Sequence, residues 1–285
     1  MNVAPDIMFP SLGIEINDIN PVAFSVFGVD VYWYGLIIGL GILAGLFIAR
    51  HLGKKVGIDE NLYPDFLIYA LIVSVVFARL YYVAFSWDEY KNDLMKIFAF
   101  REGGLAIYGA VIGAVITLII FSKFKKVDFW NFADSAAPGL ILGQSIGRWG
   151  NFVNMEAFGG YTENPLAMML KRSEAKYVPM QVLEKIKTVS GVEYIQVHPT
   201  FLYESVWNLA VLILMLVYYK HRKFKGEIFA LYLLGYGLGR VWIEGLRTDQ
   251  LLIGNTGIPA SQLLAGVLIV VSLVYIIIMR RKCTR

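Results

Sequence analysis

The sequence predicts an all-α polytopic membrane protein with seven transmembrane helices and an outward-facing soluble head between the fourth and fifth. Three observations carry that expectation. Of 285 residues, 57% are hydrophobic and 17% charged, with a mean hydropathy of +0.59, more apolar surface than a water-soluble domain of this length can cover. Seven hydrophobic stretches, near 31–49, 65–85, 104–121, 130–146, 200–219, 228–246 and 258–279, approach the ~20 residues needed to cross a bilayer. Lys and Arg collect after every second stretch, as they do on the cytoplasmic side of such proteins.

The first stretch opens on Tyr32-Trp33-Tyr34. Those rings suit an aromatic belt, and Tyr34, beside Gly35, is also placed to turn its hydroxyl inward. The thirty residues before it hold no Lys or Arg, so they lack the basic start of a cleavable signal peptide and read as a translocated tail. Arg79 lies toward the end of the second stretch, and Gly103, Gly104 and Tyr108 open the third. The fourth is interrupted by Asp134, Pro138 and Gln144, then runs into Gly147-Arg148-Trp149-Gly150-Asn151-Phe152-Val153-Asn154-Met155-Glu156-Ala157-Phe158-Gly159. That run puts a cation, two amides and a carboxylate where an apolar span should end, which is costly without partners or a ligand. Residues 151–199 carry mixed charges and read as the head, inserted in a single integral membrane domain of residues 1–285. His198, Tyr203 and Glu204 open the fifth stretch; Arg240, Glu244 and Arg247 close the sixth.

Basic clusters at Arg50, Lys54 and Lys55, at Lys123, Lys125 and Lys126, at Lys220 to Lys225, and at Arg280 to Arg285 set four ends inside. The N-terminus is then outside and the C-terminus cytoplasmic. A net charge of +4 reports this topology and contact with anionic lipid rather than nucleic-acid binding. Given alternating direction, the polar groups above fall at one level on the outer side, which argues for a single cavity. Arg240 and Glu244 are i, i+4 on one helix face. Counted with Arg148 and Arg79 against Glu244 and Glu156, they leave surplus positive charge, and the abundant anion at that level is a phospholipid phosphate.

Other chemistries fit less well. Gly143-Gln144-Ser145-Ile146-Gly147 matches the G-x-S-x-G pattern, but that nucleophile needs a strand-to-helix elbow and this copy lies in an apolar helix. Neither a metal nor another cofactor is expected, because His51, His198 and His221 fall on opposite sides of the membrane. The single cysteine, Cys283, lies on the inner side, so thiol chemistry at the outer face must use a substrate's sulfur. A polytopic lipid or anion transporter is the alternative; it predicts polar groups spread through the membrane depth and an inner gate.

The run from Gly147 to Gly159 resembles the signature G-R-x-G-N-F-x-N-x-E-x-x-G of prolipoprotein diacylglyceryl transferases. Tyr32-Trp33-Tyr34-Gly35, Gly103-Gly104-Leu105, His198-Pro199-Thr200 with Tyr203-Glu204, and Gly239-Arg240 with Glu244 and Arg247 extend the resemblance in the same order to about Asp249. It implies a multi-pass enzyme of the bacterial plasma membrane that moves the sn-1,2-diacylglyceryl group of phosphatidylglycerol to the lipobox cysteine thiol of a prolipoprotein signal peptide, releasing glycerol 1-phosphate. By motif, Arg148 would hold the phosphate and Arg240 the charge on the leaving group. Tyr34, Asn151, Glu156, Gly159, Glu244 and Arg247 match positions that the resemblance implicates in catalysis or phosphatidylglycerol binding. Many relatives have His in G-G-x-x-x-H-G, where this chain has Tyr108. The base that takes the thiol proton is thereby left open among Tyr108, Glu156 and Glu244.

Overall fold

The computed structural model describes residues 4–100, 103–254 and 256–284. Its strands are β1 (Ile7–Phe9), β2 (Ile14–Ile16), β3 (Val22–Val26), β4 (Val29–Tyr32), β5 (Met168–Lys171), β6 (Lys187–Val189) and β7 (Val192–Val197). Its helices are α1 (Trp33–Lys55), α2 (Leu62–Phe85), α3 (Trp87–Tyr90), α4 (Ile107–Phe124), α5 (Phe129–Val153), α6 (Met180–Leu183), α7 (Thr200–Tyr218), α8 (Glu227–Glu244) and α9 (Ala260–Thr284). Among the described residues, α1, α2, α4, α7 and α9 are long and apolar enough to cross a membrane. Helices α5 and α8 are equally long but carry most of the charged and amide side chains of interest. The chain divides into two compact units, Ile48–Ala136, and Met1–Phe47 with Ala137–Arg285.

In the smaller unit, α2 and α4 pack closely because glycine removes the side chains between them. A Cβ on Gly109 would lie 2.3 Å from the Phe77 carbonyl oxygen, so the contact is backbone on side-chain-free backbone, the close approach that small residues permit between membrane helices. Arg79 is 3% exposed. Its guanidinium donates to the carbonyl oxygens of Ile97 (2.9 Å), Gly103 (2.7 Å), Gly104 (3.0 Å), Lys96 (2.5 Å) and Ala99 (3.3 Å). Arg79 therefore pins the backbone leading into α4; the expectation that its charge awaits an anion is corrected by this full set of acceptors.

In the larger unit, a five-stranded antiparallel sheet has the order β2-β1-β5-β7-β6. Ile7 pairs with Leu170 and Leu170 with Ile195, so the first residues of the chain form one sheet with residues beyond α5. The sequence reading of residues 1–30 as a translocated tail says nothing of strands, and an all-α fold leaves no place for this sheet. Strands of three to six residues are too short for their alternation to stand out. The sheet is stabilised by apolar burial: Ile7, Phe9, Met168, Leu170, Ile195 and Val197 pack with Met155, Phe158, Val182 and Phe201.

Helix α5 also runs further than its sequence suggests. It was expected to close near 146, yet it continues through Pro138 to Val153, so Arg148 and Asn151 are helical residues within its last two turns. Proline removes one backbone donor and polar residues mimic a span's end, but tertiary partners hold the helix together. Glycines set α1 against it: a Cβ on Gly139 would meet the Gly45 carbonyl oxygen at 2.2 Å, and one on Gly41 the Gly143 oxygen at 3.1 Å.

Candidate active site

Three helices of the larger unit bring charges together. Arg148 of α5 lies 2.6 Å from one carboxylate oxygen of Glu204 on α7; Arg240 of α8 lies 3.4 Å from the other. Arg240 also pairs with Glu244 one turn along α8, at 2.6 Å. Glu204 and Glu244 are 4% and 3% exposed, and Arg148 and Arg240 are partly covered. The two shortest contacts approach off the axis of the guanidinium N–H bonds, so they are ion pairs rather than aligned hydrogen bonds. Two arginines and two glutamates sum to zero. The sequence-based count of surplus cations in this cluster is thus corrected by Glu204, whose position at the start of the fifth hydrophobic stretch placed it at the right depth to be included.

Helix α7 is held against α5 by serines. Ser145 donates to the Ser205 carbonyl oxygen at 2.8 Å and Ser205 donates to the Ser145 carbonyl oxygen at 3.0 Å. Ser145 is buried in mid-helix and engaged in packing, far from the exposed turn a hydrolase nucleophile requires. On α1, the Tyr34 ring packs on Gly150, where a Cβ would lie 2.6 Å from it. Tyr34 thereby sits against the turn of α5 that carries Arg148 and Asn151.

Beyond α5 the chain bends sharply. Met155 and Ala157 adopt φ of 48° and 56°, a left-handed conformation costly for side-chain-bearing residues and typical of constrained functional segments. Between them Glu156 accepts from the amides of Asn151 and Asn154, each at 3.2 Å, and lies 3.8 Å from the Lys176 ammonium. Asn151 accepts in turn from Arg148 at 3.4 Å. Arg148 is thus linked through Asn151 to Glu156. Gly159 donates to the His198 carbonyl oxygen at 3.0 Å and bridges to Arg247; a Cβ there would lie 2.8 Å from both the His198 side chain and the Leu246 carbonyl. Gly159 is a point of backbone closure.

Arg247 presents its fork to Asp249, with contacts of 2.9 and 2.7 Å. Burial alone would push the Asp249 carboxyl up, but the hydrogen bonds and charge of Arg247 hold it below the usual carboxylate range. His198 Nδ1 lies 3.3 Å from both the Tyr203 hydroxyl and the Asn164 amide. Burial lowers its pKa from the ordinary imidazole value, favouring the neutral ring. Tyr108 belongs to the smaller unit, next to the first residue of α4, with its ring 6.2 Å from that of Tyr81.

These features define a multi-pass membrane protein with a buried arginine–carboxylate cluster. The family model described as Prolipoprotein diacylglyceryl transferase matches residues 21–278. A phosphatidylglycerol--prolipoprotein diacylglyceryl transferase of Oceanobacillus iheyensis is 44% identical over 264 residues, covering 92% of this chain and 89% of that protein. Proteins of the same name from Bacillus cytotoxicus and Bacillus cereus are each 42% identical over 267 residues, covering 94% of both chains. The chain belongs to the prolipoprotein diacylglyceryl transferase family.

Proposed function

We propose that this protein transfers the sn-1,2-diacylglyceryl group of phosphatidylglycerol to the lipobox cysteine of prolipoproteins, in the first step of bacterial lipoprotein maturation. The observation that carries this reading is the Arg148–Glu204–Arg240–Glu244 cluster inside the signature helices of a family member. The transporter alternative has no comparable support. The enzyme resides in the bacterial plasma membrane with seven spans, α5 and α8 included. Its N-terminus and the head face outward, its basic loops and C-terminus inward.

In the reaction, the cysteine sulfur attacks the glyceryl C3 carbon and the C3–O bond to phosphate breaks. A thioether forms, the bonding pair leaves on the phosphate oxygen, and glycerol 1-phosphate departs. The guanidinium forks of Arg148 and Arg240 are suited to hold the phosphate and offset charge growing on its leaving oxygen. Their carboxylate partners hold them in position beforehand. Glu204 touches both arginines, whereas Glu244 touches Arg240 alone, so Glu244 is the carboxylate more readily exchanged by an arriving phosphate. Once displaced, it accepts the thiol proton. Tyr34, Asn151, Glu156 and Gly159 shape the arginine environment, Arg247 fixes its rim through Asp249, and Tyr108, at the position where many relatives carry His, is assigned a part in turnover by the family resemblance.

The test incubates purified protein with phosphatidylglycerol and a lipobox peptide and reads peptide mass. The cysteine peptide gains a diacylglyceryl group and its Cys-to-Ser counterpart does not. Lipid movement across vesicles without peptide modification would restore the transporter reading. In the same assay Tyr108→Phe loses most turnover; full activity would reduce Tyr108 to packing.

A further inference from the structure

Each of the three helices that carries a charge of the cluster also carries a polar residue one turn deeper on the same face. Gln144 precedes Arg148 by four residues on α5, Asn208 follows Glu204 by four on α7, and Tyr236 precedes Arg240 by four on α8. Positions i and i+4 stack on one helix face, so a second polar layer lies beneath the charged one. Gln144 donates to the Tyr232 hydroxyl at 3.0 Å, and the Tyr232 ring stacks on that of Tyr236 at 6.0 Å.

This layer is incompletely satisfied. Asn208 is 1% exposed and its amide nitrogen has no hydrogen-bond partner; the buried Gln144 side-chain oxygen has none either. Above the cluster the opposite holds, since Asn151, Asn154 and Lys176 all converge on Glu156. A donor and an acceptor left unpaired in a membrane helix bundle are each unfavourable unless something pairs with them. Hydroxyls can do both, because each donates one hydrogen and accepts through its lone pairs. An ammonium offers donors only and would leave the Asn208 amide facing like polarity.

The geometry points to Asn208 and Gln144 as the residues that read the hydroxyls of the donor lipid's headgroup. This inference rests on the transfer reading above. With the phosphate on Arg148 and Arg240, the headgroup glycerol extends inward into the unsatisfied layer, and the diacylglyceryl carbon faces the incoming sulfur. Phosphatidylglycerol is thereby separated from lipids whose headgroup is an amine or lacks hydroxyls.

The experiment measures kcat/KM for peptide modification with phosphatidylglycerol, phosphatidylethanol and phosphatidylethanolamine in mixed micelles. The variants are Asn208→Leu, and Gln144→Leu combined with Tyr232→Phe so that the tyrosine hydroxyl is not orphaned. The unmodified enzyme prefers phosphatidylglycerol over phosphatidylethanol by at least about 10-fold, the scale set by buried groups left unpaired. In either variant that ratio falls toward one through loss on phosphatidylglycerol. Asn208→Leu also melts at the same or a higher temperature, because it removes an unpaired polar group. An unchanged ratio in both variants would mean the layer holds only water, and a lowered melting temperature with an unchanged ratio would mean Asn208 is structural; either result overturns the assignment. If the unmodified enzyme modifies the peptide from every donor equally, the headgroup reading falls while the transfer reading stands. Modification from no donor removes both.

Discussion

Glu204 joins two arginines that belong to different helices, so its removal tests the cluster at a single side chain. Glu204→Gln keeps the shape but leaves two partly covered cations with one carboxylate, Glu244, which touches Arg240 alone. Breaking a buried pair from one side costs about 3–5 kcal/mol, and this variant should unfold earlier in detergent by a corresponding amount. Adding Arg148→Gln restores neutrality; stability then returns in part while turnover does not, because the phosphate has lost a fork. Recovery of turnover in the double variant would make the cluster a structural clamp. Arg240→Lys keeps charge but not the bidentate fork, and should cost on the order of 2 to 4 kcal/mol of transition-state stabilisation in kcat/KM, comparable with losing an oxyanion donor. Near-normal kcat/KM would count against the phosphate role. Arg148, Arg240 and Glu244 were legible in the sequence because charged residues are rare in apolar helices. Glu204 was visible too, but its role was not, since pairing across three helices depends on how they pack and not on spacing along any one of them. Arg79 shows the converse: an intramembrane arginine reads as a ligand site until the five carbonyls around it are seen.

Among the elements, α1, α2, α4, α7 and α9 were legible because sustained apolarity is a strong signal. The end of α5 was not, because glycines and amides imitate a terminus while their partners lie elsewhere in the chain. Strands β1, β2, β5, β6 and β7 were missed for a related reason: each is short, and the sheet joins segments as far apart in sequence as Ile7 and Leu170. The contact of α1 with α5 makes a sharp element-scale prediction. Gly139→Ala forces a methyl group into the Gly45 backbone, where the nearest atom would be at 2.2 Å. Overpacking of this kind costs about 1–3 kcal/mol, so the melting temperature should fall and activity with it, since α5 carries Arg148. Gly39→Ala is the control. Nothing lies within 4 Å of a Cβ there, and alanine in a helix is favoured over glycine by up to about 1 kcal/mol. Equal stability changes in the two variants would mean that α1 and α5 do not cross at Gly45 and Gly139.

For the molecule as a whole, the dependence of stability on pH follows from groups outside the membrane spans. Burial lowers the pKa of His198. At mildly acidic pH the unfolded chain therefore binds more protons at this position than the folded one, and stability rises with pH. The contribution is full above the ordinary imidazole value of about 6.5 and is lost as pH falls below it. Asp249 acts lower on the scale. Against the upward push of burial, Arg247 holds its pKa below the carboxylate norm, so its contribution is present above about 3.9 and disappears as pH falls through the depressed value. Melting temperatures measured in detergent from pH 8 down to 2 should decline in two stages. His198→Gln should flatten the upper stage by removing the titrating ring while keeping a side chain that can bond to Tyr203. Asp249→Asn should flatten the lower stage and also lower the plateau, because Arg247 loses its charged partner. A flat profile between pH 7 and 5 in the unmodified protein would show that His198 is as free to ionise when folded as when unfolded. That result would contradict a ring partly buried beside Asn164 and Tyr203, and with it the packing of the loop that joins the sheet to α7.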